Sequence, residues 1–191
     1  MPASRRPRRA DAQRNHDLLV AAARRLFAER GPEAPLDDVA RDAGVGNATL
    51  YRHFPTRREL LIAVYADEVS GLTAEGEALL AGAASADALF AWLRTFITHV
   101  ATKRDLAQAI TDDRRRTVLF DEWHTAMHAT AGALLARAQD SGAVRPGVRT
   151  ADLMALANGI ALATTGPPQT DRLLDLLRQG VNEVEPAQLR P

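Results

Sequence analysis

The 191-residue chain contains no cysteine. Disulfides, thiolate metal sites and a cysteine nucleophile are excluded, and the composition suits a reducing cytoplasm. Aromatic residues make up only 5% of the chain and alanine is abundant, which favours helix over sheet. No apolar run approaches the ~20 residues that a membrane-spanning helix needs, so no membrane partner is expected. The N-terminus is Arg-rich, but the apolar stretch behind it, LLVAAARRLF, is broken by Arg24 and Arg25, so no signal peptide is expected. Apolar and polar residues nowhere alternate between hairpin turns, and no internal repeat is evident. What the chain does have is 46% hydrophobic residues, enough for a core. The fold class expected is all-α.

Net charge is zero overall but unevenly distributed. Residues 1–58 hold 12 Arg against 7 acidic residues, and residues 59–191 hold 12 basic against 17 acidic ones. A basic module carried by an acidic body points to a polyanionic partner. The first dozen residues are polar, basic and Pro-containing, and read as a disordered arm over 1–13. In that arm Arg5, Arg6, Arg8 and Arg9 are candidates for a minor-groove contact.

A helical period sets in near Arg14, with Leu18, Leu19, Ala22, Leu26 and Phe27 on one face, and ends at Arg30-Gly31-Pro32. The segment LDDVARDAG follows, with Leu36, Val39, Ala40 and Ala43 on one face and Asp37 and Asp38 in the first turn. Gly44 closes it, and NATLYRHF opens the next short helix, with Asn47 as the expected N-cap. Thr56 and Glu59 in TRRE form a capping box at the head of a long helix reaching about Leu80. Further helices are expected at about 87–102, 105–111, 115–140, 150–165 and 170–181, with Thr150 and Thr170 as N-caps.

Two short helices joined by a tight Gly-containing turn form a helix-turn-helix. The second divides its labour: Leu50 and Phe54 lie four apart and can anchor it, while Thr49, Tyr51, Arg52 and His53 are polar and point elsewhere. A helix entering the major groove needs such outward hydrogen-bonding groups. Arg57 and Arg58, at the start of the following helix, are placed to clamp the DNA backbone.

Over residues 14–70 the chain resembles the DNA-binding segment of tetracycline-repressor-type (TetR family) regulators. The resemblance rests on FAERG at the end of the first helix, the VA..AGV half of the helix-turn-helix, LYRHF in the recognition helix and TRREL at the entry to the fourth helix. SGAVRPGVRTADL further on resembles the link ahead of the last two helices in that family. Membership implies a homodimeric, ligand-responsive repressor of a DNA operator, with a DNA-binding domain at 14–58 and an effector-binding and dimerisation body at 59–191. It implies base contacts from Asn47, Ala48 and Thr49, phosphate or flanking-base contacts from Tyr51 and His53, and phosphate contacts from Arg57 and Arg58; Arg52 is a further candidate. One departure is Pro35, where many members carry a Thr or Ser that caps the helix and bonds a phosphate.

In the acidic body, Trp92, Phe96 and His99 share one helix face, and Trp123, Met127 and His128 share another. Apolar walls with a few polar groups suit a pocket for an apolar or aromatic effector, and equally suit a core. His124 and His128 are four apart, but without Cys or a carboxylate-rich partner no metal site is expected. No cofactor is expected either. An all-α enzyme using His99, His124 or His128 is the alternative class, along with a helical interaction module. The chain lacks a nucleophile elbow, a phosphate-binding Gly loop and a two-His-one-Glu zinc signature, so it is not expected to be an enzyme. Ala155, Gly159 and Ala163 recur every four residues and allow close helix approach; with Leu173, Leu176 and Leu177 they form the expected homodimer interface, the alternative being packing within one chain.

Overall fold

The computed structural model describes residues 6–82, 86–109 and 114–182, with side chains described for 10–82, 86–101 and 121–182. Eight α-helices and no strand lie among these residues: α1 (Arg6–Arg30), α2 (Leu36–Asp42), α3 (Asn47–His53), α4 (Arg57–Ala81), α5 (Ala86–Ala109), α6 (Arg114–Asp140), α7 (Thr150–Ala163) and α8 (Pro167–Val181). The all-α class is as expected. The helix starts differ. Residues 6–13 of the expected arm are helical, because Pro7 falls in the first turn, where a missing N–H costs nothing. α8 begins at Pro167 for the same reason, capped by Gly166 rather than Thr170. Arg149, not Thr150, is the N-cap of α7. The two segments expected at 87–102 and 105–111 are one helix, since no Gly or Pro interrupts them.

The chain divides into two compact units, Met1–Glu68 with Lys103–Arg116, and Val69–Thr102 with Thr117–Pro191. This division falls inside α4, after Glu68.

In the first unit α1 packs on α2 and α3, and α2 on α3. Leu19, Ala22, Ala23, Val39, Leu50, Leu60 and Val64 are buried together with Phe27, Phe54 and Tyr65. Burial and the nearby Glu68 push the Tyr65 phenol up to about 12. The turn between α2 and α3 is set by Gly44, at φ 67. Its N–H donates to the Arg41 carbonyl and that of Val45 to the Ala40 carbonyl, which closes α2 and redirects the chain. α4 is opened by the expected capping box: the Thr56 N–H donates to Glu59 Oε2 at 3.0 Å, and the Glu59 N–H to Thr56 Oγ1 at 3.3 Å.

The second unit is built on Leu89, Trp92, Leu93, Phe96 and Ile97 of α5, Met127, Leu134 and Leu135 of α6, and Leu153, Met154 and Ala157 of α7. Trp92 Nε1 donates to the Leu72 carbonyl at 2.9 Å, tying α5 to α4. Beside it Gly76 approaches α6 so closely that a Cβ there would lie 2.1 Å from Thr130 Cγ2. α7 packs on α8. The Gln139 side-chain amide reaches the carbonyls of Arg145, Pro146 and Val148 at 3.0–3.2 Å and holds the α6–α7 connection.

Candidate nucleic-acid interface and effector body

α3 is attached by two apolar side chains. Leu50 is fully buried and Phe54 is 4% exposed. The opposite face is open: Asn47, Ala48, Tyr51 and Arg52 are exposed, and Thr49 is half-buried. Gly46, not Asn47, is the N-cap of α3, and no side chain caps it. Asn47 is instead the first helical residue, and its Nδ2 donates to Asp37 Oδ1 at 2.9 Å, fixing the start of α3 to α2. Pro35 is the N-cap of α2 and offers no side-chain hydrogen bond. The departure noted in the sequence therefore has no local substitute cap.

Two of the expected DNA-contacting residues turn inward. Arg57 Nη1 donates to the carbonyls of Pro32 at 2.8 Å and Ala34 at 2.6 Å, so its guanidinium serves the α1–α2 connection. One guanidinium nitrogen is thus committed inside the fold, while the side chain stays 29% exposed. His53 lies half-buried against His16 and Phe54, with ring centroids 6.4 and 6.3 Å away, and its Nε2 is buried without a hydrogen-bond partner. Burial, then the charges of Arg52 and His16, hold its pKa below the ordinary 6.5. The ring packs α3 against α1.

The positive charge read from the sequence is partly cancelled in place. Arg24 pairs with Asp67, Arg25 with Asp42, and Arg30 and Arg41 both with Asp38, at 2.6–3.1 Å. These are exposed pairs of small individual worth, but they remove net charge from the flank. Among the described residues Arg52 and Arg58 have no acidic partner, and both lie at the α3–α4 end. Arg5 and the side chains of Arg6, Arg8 and Arg9 lie outside the described residues.

The expected effector residues fall into a buried group and an exposed one. Trp92, Phe96, His99 and Met127 are buried core, and the Trp92 and Phe96 rings stack with centroids 5.6 Å apart. His128 and His124 are exposed. Trp123 alone borders a depression, with Val69, Thr73 and Glu122 among its neighbours. A more enclosed cleft lies elsewhere, where Arg94, Ile97 and Thr98 of α5 face residues 164–167, Thr170 and Asp171. It was missed because TTGPP at 164–168 reads only as a helix break. Around α7 and α8, Leu156, Leu162 and Leu176 are 53%, 58% and 62% exposed. Ala155, Gly159 and Ala163 are exposed, and Leu173 and Leu177 half-buried. Leu156 and Leu162 had no place in the sequence-derived interface because helical spacing alone does not say which Leu of an Ala-rich helix the core takes. No helix among the described residues is long and apolar enough to cross a membrane.

Residues 19–64 match the family described as bacterial regulatory proteins, tetR family, and residues 84–183 match the C-terminal domain of SbtR-like transcriptional regulators. Among solved structures, a TetR transcriptional regulator from Streptomyces coelicolor is 36% identical, with a TM-score of 0.76, over 88% of this chain and 99% of that one. A TetR transcription regulatory protein from Mycobacterium vanbaalenii is 34% identical, with a TM-score of 0.75, over 92% of this chain and 99% of that one. A gamma-butyrolactone receptor, 21% identical over 91% of each chain with a TM-score of 0.62, shares the fold. No curated protein matches the chain.

Proposed function

The chain belongs to the TetR family of ligand-responsive, DNA-binding transcriptional regulators, and from that premise we propose that α3 reads a pseudo-palindromic operator through Ala48, Thr49, Tyr51 and Arg52. Regulators of this family bind operators and small-molecule effectors and act as dimers. The observation that carries the reading is the two-sidedness of α3. Leu50 and Phe54 hold it to the core, while Tyr51, 47% exposed, and Arg52 face solvent with no acidic partner among the described residues. Arg58 meets the DNA backbone from the head of α4. Asn47 fixes the start of the reading helix to α2, Arg57 braces the α1–α2 connection, and the protein works in the cytoplasm as a repressor.

The second part of the proposal is a symmetric dimer through α7 and α8. Three large apolar side chains exposed on these helices are more than single scattered leucines require. They flank a bare strip of Ala155, Gly159 and Ala163, which lets a second copy approach closely. A Cβ on Gly159 would meet nothing within 4 Å inside the protomer. Gly159→Arg therefore tests the interface without crowding the fold. It should yield monomers by light scattering and lose operator binding, whereas a wild-type monomer at micromolar concentration would refute the dimer.

Operator binding is tested by gel shift with DNA flanking the protein's own gene. Tyr51→Ala should weaken it while leaving the dimer folded. Arg58→Ala should weaken binding to every sequence and flatten the salt dependence by about one unit. Unchanged affinity in both variants would remove α3 and the α4 head from the interface.

A further inference from the structure

The cleft beside the α7–α8 connection encloses about 370 Å³, within the ~300–1,000 Å³ of small-molecule pockets. Ile97, Ala101 and Pro167 supply carbon surface, and Thr98 and Thr165 also line it. At its edge Arg94 of α5 is paired with Asp171 of α8 through a single Nη1–Oδ1 contact. Among the described residues the guanidinium has no other acceptor, so four of its five donors are uncommitted.

We propose that this cleft binds a small monocarboxylate with a compact apolar body, whose carboxylate takes over Arg94 from Asp171. A carboxylate reproduces the group already seated there and can use the guanidinium fork in bidentate fashion, which the present contact does not. The carbon-lined walls take the body. A dianion such as phosphate is disfavoured, because the Asp171 carboxylate stays beside the site and repels a second negative charge more strongly than a first.

The exchange has a mechanical consequence. α8 is strapped to α5 by two ion pairs in antiparallel register, Arg94–Asp171 and Asp87–Arg178, with Arg178 also lying 5.5 Å from the centre of the Phe90 ring. The ligand undoes the strap nearer the start of α8 and leaves the other. α8 also carries Leu176 of the proposed dimer face, so occupancy changes how that face is presented. This regulatory step rests on the regulator reading above, whereas the binding site does not.

The test is titration calorimetry on the full chain with octanoate, 1-octanol, octylamine and inorganic phosphate. Octanoate should bind saturably, one per protomer, and more tightly than the other three. Arg94→Gln should weaken octanoate at least about tenfold, the scale of losing hydrogen bonds from a charged donor. Asp171→Asn should tighten it severalfold, because the internal competitor is gone. A purely structural ion pair would move both variants in the same direction, and that result would overturn the site. So would equal binding of 1-octanol, or tighter binding of phosphate or octylamine. Ala101→Trp fills the cleft and leaves the ion pair intact, so it should abolish octanoate binding without loss of thermal stability; unchanged binding refutes the location. Octanoate should also release operator DNA from the wild type and not from Ala101→Trp. If octanoate binds at Arg94 yet the operator stays bound, the regulatory step is wrong and the site stands. If no operator is bound at all, the regulator reading fails and calorimetry still decides the site.

Discussion

Replacing Arg57 with Met separates two roles that a basic residue at the head of α4 can play. The guanidinium donates from one nitrogen to the carbonyls of Pro32 and Ala34, at 2.8 and 2.6 Å, and its side chain is 29% exposed. Hydrogen bonds from a charged donor are worth about 1.5–3 kcal/mol each. One nitrogen serves both acceptors here and some water reaches the group, so the lower end applies and the pair together contributes about 2–3 kcal/mol. The 3.9 Å approach to Glu33, which is 82% exposed, adds little. Met keeps the aliphatic stem and removes the donors. For a protein of this size about 2–4 °C of melting temperature is lost per kcal/mol, so Arg57→Met should melt roughly 4–12 °C lower by circular dichroism. Arg57→Lys should recover part of the loss, because an ammonium can still donate to a carbonyl. The salt dependence of operator binding should keep its slope, since no phosphate contact has been removed. A variant that melts with the wild type and flattens that slope by about one unit would refute the inward role and restore Arg57 to the DNA backbone.

Gly76→Ala should destabilise the second unit by about 1–3 kcal/mol through overpacking against Thr130, whose hydroxyl is held by the Ala126 carbonyl at 3.0 Å. In a Thr130→Ser background, which removes the clashing methyl and keeps the hydroxyl, the same change should cost distinctly less, the remaining close neighbour being Trp92 Nε1 at 3.3 Å from the new Cβ. Destabilisation of equal size in both backgrounds would show that the close approach is not the cause. His53 is predicted to make the first unit acid-sensitive. Its folded pKa lies below 6.5, so as the pH falls past 6.5 the unfolded chain takes up a proton that the folded one refuses. Stability therefore declines with falling pH until the folded ring itself protonates. His53→Gln should flatten the melting temperature against pH in that window, and an unchanged profile would assign the acid sensitivity to other groups.

The elements of the reading unit were legible because their signals are local. Gly31, Gly44 and the Thr56–Glu59 box each act within a few residues, and the apolar spacing of α1 and α2 names its own buried face. The inward turn of Arg57 was not legible, since its acceptors lie 23 and 25 residues away along the chain. A helix-start arginine looks the same whether it faces a phosphate or a carbonyl. Trp92, Phe96 and Met127 show a second limit: apolar residues at helical spacing line a cavity or fill a core, and only the neighbouring helices decide. Pro7 hides the early start of α1: in a polar, basic segment it reads as a mark of disorder, although proline is accepted in a first turn. The Arg94–Asp171 and Asp87–Arg178 straps join residues 77 and 91 positions apart, and no sequence pattern links them.

The attachment of α3 through its inward groups, Leu50, Phe54, His53 and the Asn47–Asp37 bond, makes target choice and foldedness nearly independent variables. Substitutions at exposed positions such as Ala48, Tyr51 and Arg52 change stability by little, typically within about 0.5 kcal/mol. A gene copy could therefore drift to a new operator one residue at a time without passing through an unfolded intermediate. The same separation suits deliberate re-targeting: a library confined to these outward positions samples specificities on a scaffold that stays folded throughout, whereas any change at Leu50 or Phe54 abolishes the reading of all of them together.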